Sequence, residues 1–301
     1  MLDETRAAAE RIASTARFVH LDRAALPAYA ASLPVEQARA PQLDPATHFL
    51  GEPDATLTYV VTLDAINFGS GYFPWLKKRP GLSGYFTVAT SLKEHFEQHG
   101  PPAADELRRA KAEDCARIFG QALDGPAGEL MGLFARALND LGERVAIGYG
   151  GSFRGLVDAA EGSAERLMEI LIEMPFYRDV PFYKRAQLTA ADLSTAGVGQ
   201  FRDLDRLTIF ADNLVPHVLR LDGVLVYDPD LVARIEREEL IPAGSAEEQE
   251  IRACALHAVE LLVASLDRQV TPMQLDYLLW NRGQQPQYKA VPRHRTRSVF
   301  Y

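Results

Sequence analysis

From Ile251 to Leu266 the apolar residues keep the period of an α-helix: Ile251, Cys254, Ala255, Ala258, Val259, Leu262, Val263 and Leu266 share one face. Just ahead, Ser245-Ala246-Glu247-Glu248 reads as a capping box, in which the Ser245 and Glu248 side chains each accept the other residue's backbone N–H. A stripe of this length must be buried against other apolar faces, and the same period recurs along the chain. Pro126 opens a helix with Leu130, Leu133, Phe134, Ala137, Leu138 and Leu141 on one face, and Ser163 caps another carrying Leu167, Ile170, Leu171 and Met174. Further helices are expected over about 3–16, 84–98, 104–121, 181–195, 203–215 and 272–281. The segment Thr56–Phe68 is rich in β-branched residues, yet Leu57, Val60, Val61, Ala65 and Phe68 fit one helical face, and it is read as helix. Strands alternating with helices are missing, as are repeats and long Gly/Ser/Pro linkers. The expectation is one mostly α domain spanning residues 1–301.

Composition narrows the class. No run approaches 18 apolar residues, so no membrane-spanning segment is expected, and the acidic, discontinuous start MLDETRAAAERIASTARFVH does not read as a secretion signal. Cys115 and Cys254 give neither a disulfide framework nor a zinc site, which fits a reducing cytoplasm. With 41 acidic against 32 basic residues, a net charge of −9, the chain is ill suited to neutralising many duplex phosphates. The charge is uneven, however. Tyr277–Tyr301 holds Arg282, Lys289, Arg293, Arg295 and Arg297 with no acidic residue, and ends in the apolar Ser298-Val299-Phe300-Tyr301. Such a segment is either a solvated tail or a docked one that serves a single small anion such as a phosphate monoester.

Several familiar motifs fail on inspection. Gly148-Tyr149-Gly150-Gly151 has no strand before it and reads as a turn rather than a dinucleotide loop. His95 and His99 stand at i, i+4 but lack an obvious third metal ligand. There is no Gly-x-Ser-x-Gly elbow and no P-loop. More informative is Gln187–Leu221, where Ala196-Gly197-Val198-Gly199 separates a helix ending near Thr195 from one expected to begin near Asp203. Pro216 ends that second helix and opens another, leaving Asp212 at the junction, where the following helix's positive end favours a negative group. Two readings of Asp212 stay open: a helix cap, or a carboxylate held to stabilise the oxocarbenium charge of N-glycosidic cleavage. Asp276 and Trp280, at i, i+4, pair a carboxylate with an aromatic wall suited to a purine-like base, or form a satisfied core pair. Lys184 opens a helix after Pro181, a place where lysines are usually solvated.

Together these residues resemble the queuosine salvage proteins, the queuosine 5′-phosphate N-glycosylases. The segments that carry the resemblance are Phe182-Tyr183-Lys184-Arg185-Ala186-Gln187, Phe210-Ala211-Asp212 with Val215-Pro216, Glu250-Ile251-Arg252 with Val259-Glu260-Leu261, Leu275-Asp276-Tyr277 with Trp280, and His294-Arg295 through Tyr301. His48 and Leu63–Phe68, with Asn67-Phe68, match as well, so about 250 residues are covered in order. The resemblance implies an all-helical fold similar to helix–hairpin–helix DNA glycosylases, and hydrolysis of queuosine 5′-monophosphate to queuine and ribose 5-phosphate. It implies Asp212 as the catalytic carboxylate, Lys184 at the sugar or phosphate, His48, Phe210, Asp276, Tyr277 and Trp280 around the base, and Asn67 as a further substrate-binding residue. Asn281 and Asn213 stand where many relatives have an aspartate and an aromatic.

On that reading Arg295 and Arg297 are candidates for the phosphate clamp, and Asp276 or Asp64 for the partner of the base's ammonium-bearing arm. No metal or other cofactor is expected. The expected partner is a small-molecule nucleotide, with no direct contact to nucleic acid, no membrane, and a monomeric chain. Two alternatives remain: a base-excision glycosylase acting on nucleic acid, and a non-catalytic carrier of a modified base or nucleotide.

Overall fold

A computed structural model describes residues 1–38 and 41–301. Helix dominates. Leu2–Ser14 (α1) and Leu26–Ser32 (α2) lead to Pro53–Ala65 (α3), which forms despite its β-branched residues because ten of its thirteen side chains are buried. Gly84–His99 (α4), Ala104–Leu107 (α5) and Ala112–Phe119 (α6) follow, so the single helix expected over 104–121 is broken in two at Arg108–Lys111. Gly125–Gly148 (α7), Phe153–Asp158 (α8) and Ala164–Leu171 (α9) complete the first half. Ser163 caps α9 by accepting the Arg166 N–H, as its sequence position predicts. The second half holds Lys184–Thr195 (α10), Val215–Leu221 (α11), Pro229–Glu236 (α12), Ala246–Ser265 (α13), Pro272–Arg282 (α14) and Pro286–Lys289 (α15). A short antiparallel pair, Val19–Leu21 (β1) with Leu225–Tyr227 (β2), ties the N-terminal region to the segment that follows α11.

Two apolar clusters make the core. One gathers α3, α4 and α6 to α10 around Phe68, Phe134 and Phe96; the other gathers α1, α2 and α11 to α14 around Val259, Leu262 and Leu275. Residues 207–213 run between them, and here the sequence expectation needs correcting. The helix expected over 203–215 does not form: one 3₁₀ turn, Leu204–Arg206, is followed by an irregular buried strut that becomes helical again at Val215. The strut's backbone groups are taken by side chains instead of by a helical ladder. Gln187 accepts the Thr208 N–H at 2.8 Å, and Asp276 accepts the Phe210 N–H at 3.0 Å. The reversal before it does form, with Gly197 at φ +73°.

The basic C-terminal segment is docked. Arg185, fully buried, donates to the Phe176 and Val299 carbonyls and to those of Asp64 and Ala65. The Gly69 N–H donates to the Tyr301 carbonyl at 2.9 Å, and a Cβ on Gly71 would overlap the Thr296 carbonyl, so the tail needs glycine there. His294 is buried in this segment, and its pKa is pushed down to about 3, by burial first and then by the Arg252 charge. The folded protein therefore keeps His294 neutral while the unfolded chain protonates it. Stability from this residue is complete above pH 6.5 and is lost as pH falls toward 3, amounting to about 3 kcal/mol by pH 4. Urea unfolding of wild type and His294→Asn is expected to diverge over that window, with the variant falling less steeply; parallel curves would contradict this.

Candidate active site

A cavity of about 740 Å³ opens where the two clusters meet, within the range of small-molecule sites. α10 builds one side of it: Lys184, Leu188 and Asp192, spaced i, i+4, i+8, form one row on its wall. The start of that helix is fixed by Asp179, whose Oδ2 accepts the Lys184 N–H at 3.2 Å. Lys184 is buried rather than solvated. Its Nζ donates to the Asn67 carbonyl at 3.4 Å, and burial lowers its pKa against the opposing pull of Asp212.

The strut delivers Phe210 and Asp212 to the same space. Asp212 Oδ1 accepts the N–H groups of Leu214 at 2.8 Å and Val215 at 3.2 Å, so the residue caps α11 while lining the cavity. One aspartate thus both begins a helix and lines the cavity. Asp276, on α14, holds the strut through Phe210 and lies 3% exposed. Its pKa is raised well above the carboxylate range, by burial first and then by the negative charge of Asp212. Burial and the neighbouring negative charge thus favour the protonated form of Asp276.

Aromatic rings line much of the rest of the cavity. Trp280 meets Tyr85 and Phe86 edge-on, at ring-centroid distances of 5.9 and 5.8 Å, and Phe210 meets Tyr277 at 5.9 Å. His48 joins them through a 2.9 Å hydrogen bond between Nε2 and the Tyr85 hydroxyl, and burial lowers its pKa, favouring the neutral ring. At another part of the lining Lys78, Arg293 and Arg295 gather. Arg295 pairs with Glu238 at 2.7 Å, whereas neither Lys78 nor Arg293 has a carboxylate within ion-pair reach among the described residues. Burial and the charges of Arg293 and Arg295 lower the Lys78 pKa. Arg293 also feels the negative charge of Asp212, so the cluster is partly compensated, yet three cations against two carboxylates still suit an anion.

Of the residues singled out from sequence, the structure brings Asp212, Lys184, His48, Asn67, Phe210, Asp276, Tyr277, Trp280 and Arg295 to the cavity lining. Asp64 and Arg297 lie outside it. Asp64 is fully buried behind Asn67, while Arg297 pairs with Glu129 at 3.5 Å and packs over Trp75. Sequence reasoning missed Lys78, Tyr85, Phe86 and Asp192, and placed Arg293 in the basic segment without assigning it a site. Arg293 carried a signal: the tail alternates buried and half-buried residues from His294 to Ser298, so Arg293, Arg295 and Arg297 share a face. Over that length an extended chain spans about 13 Å, too far for all three to grip one phosphate. His95 and His99 stack at 4.5 Å, and no group of three or more His, Cys, Asp or Glu suited to a metal occurs among the described residues. Nor is any helix of the described residues long and apolar enough to cross a membrane.

Comparison with known proteins gives a consistent result. A family model described as queuosine salvage protein matches residues 47–301. The chain is 36% identical, over 97% of its own length and 95% of the relative's, to a queuosine 5′-phosphate N-glycosylase/hydrolase of Sphaerobacter thermophilus. Proteins of the same name from Mus musculus and Dictyostelium discoideum are 31% and 30% identical, over 83% and 82% of this chain and 83% and 79% of theirs.

Proposed function

Because the chain belongs to the queuosine salvage protein family, we propose that it hydrolyses the N-glycosidic bond of queuosine 5′-monophosphate, releasing queuine and ribose 5-phosphate. The observation that carries the mechanism is the half-buried Asp212, facing a cavity with an aromatic wall and unpaired cations in its lining. The base stacks against Trp280 and its neighbours, and the 5′-phosphate meets Arg293 and Lys78. As the C1′–N bond breaks, its electron pair leaves with the base, and the Asp212 carboxylate stabilises the positive sugar carbon. The Asp276 carboxyl, kept in its acid form, offers its O–H to the departing base. Water adds hydroxide to C1′, and its remaining proton balances the one taken up by the base. Lys184 sets the charge beside Asp212 and orients the sugar.

The phosphate assignment is testable by comparing nucleotide with nucleoside, because the charge that Arg293 places near Asp212 is common to both substrates. Losing a charge-assisted hydrogen bond costs about 1.5–3 kcal/mol, so Arg293→Gln is expected to raise KM for queuosine 5′-monophosphate by about 10- to 100-fold. Cleavage of the nucleoside queuosine should lose much less, since only the charge near Asp212 is removed there. Equal losses on both substrates would place Arg293 away from the phosphate.

A further inference from the structure

One carboxyl in the cavity wall has no part in this hydrolytic scheme. Asp192 lies eight residues beyond Lys184 on the cavity-facing row of α10, about 12 Å farther along the helix axis. The Tyr277 hydroxyl donates to its Oδ1 at 2.5 Å. Nearby, Asp64 is fully buried, and its Oδ2 has no hydrogen-bond partner. Neither carboxyl takes part in an ion pair among the described residues. The titratable groups that act on or feel Asp192 are Asp64 and Tyr59 on α3, Tyr85 on α4, Lys184 on α10, and Asp276 and Tyr277 on α14. Lys184 is the one cation that acts on Asp192, and it already faces Asp212, Asp64 and Asp276; the buried Arg185 acts on Asp64, but its guanidinium donates to the carbonyls of Asp64, Ala65, Phe176 and Val299. This region of the site is therefore short of positive charge, in contrast to the surroundings of Lys78, Arg293 and Arg295.

We propose that Asp192 receives a positively charged substituent carried by the base, so that the wall selects an aminated 7-deazaguanine over an uncharged one. The inference rests on the reading of this cavity as the base site, and it adds a specificity-determining residue to that reading. Burial pushes the Asp192 pKa up to about 6, and burial together with the Asp192 charge raises that of Asp64. An incoming ammonium favours the ionised form of Asp192, and the proton it displaces passes to solvent. Affinity for a cationic base then rises with pH through about 6, by about tenfold between pH 5 and 7.5. Affinity for a neutral base stays level.

Two free bases of nearly equal size serve as probes, 7-aminomethyl-7-deazaguanine and 7-methyl-7-deazaguanine, with binding measured by calorimetry at pH 5 and 7.5. Wild type is expected to prefer the aminomethyl base about tenfold or more at pH 7.5, with the preference shrinking at pH 5. Asp192→Asn should erase the preference while leaving the methyl base's affinity unchanged. A preference that survives in Asp192→Asn, a wild-type preference that ignores pH, or binding of neither base overturns the proposal. Turnover of queuosine 5′-monophosphate by wild type, followed separately, shows whether the hydrolase reading stands in any of these cases.

Discussion

Asp212→Asn is expected to cut kcat for queuosine 5′-monophosphate by at least about 10³-fold, equivalent to about 4 kcal/mol of lost transition-state stabilisation. Asparagine suits this test because Asp212 has two separable tasks. Its Oδ1 accepts the Leu214 and Val215 N–H groups and so begins α11. An amide oxygen can keep those bonds, whereas the negative charge facing the cavity is lost. Thermal unfolding should therefore shift little, while single-turnover cleavage collapses. Asp212→Ala removes the cap as well and should cost about 1 kcal/mol of stability in addition. If Asp212→Asn loses stability yet keeps near-normal turnover, the residue is a cap and nothing more.

The second large effect is structural. Arg252→Met is expected to destabilise the fold by about 3–5 kcal/mol. The Arg252 guanidinium lies between the rings of Phe182 and Tyr301, at 4.1 and 4.5 Å. It pairs with both oxygens of Asp179, reaches Glu248 at 3.3 Å, and donates through Nε to the Ala211 carbonyl at 2.9 Å. Methionine would fill the space between the rings but leave two buried carboxylates without their cation. Ala211 immediately precedes Asp212, and Asp179 also accepts the Lys184 N–H, so one arginine ties the strut, the start of α10 and the tail together. Urea unfolding of the variant measures the loss; a change below about 1 kcal/mol would contradict this account of the network.

The helical elements were legible wherever local signals agreed with burial. Ser245 and the period behind it mark α13, and the Ser245 hydroxyl does accept the Glu248 N–H; the expected capping box is only half formed, because Glu248 accepts the Gly244 N–H at 3.2 Å while the Ser245 N–H donates to the Pro242 carbonyl. Residues 203–215 misled because Leu204, Leu207, Phe210 and Ala211 mimic a helical face. Their backbone is claimed instead by Gln187 and Asp276, residues 21 and 66 positions away from the groups they bind, which local periodicity does not register. The cavity was legible where a residue type is unusual in its setting, as with Asp276 beside Trp280. Asp192 was not, since an aspartate late in a helix reads as solvated, and its partner Tyr277 lies 85 residues onward. Lys78 was hidden for a similar reason: only the docked tail brings Arg293 and Arg295 close to it.

The most direct measurement is to incubate the purified wild-type protein with queuosine 5′-monophosphate and resolve the products by chromatography. The account predicts that free queuine and ribose 5-phosphate appear together, in equal amounts and over many turnovers. Recovery of the nucleotide intact, bound or free, would contradict it and leave the cavity as the site of a carrier.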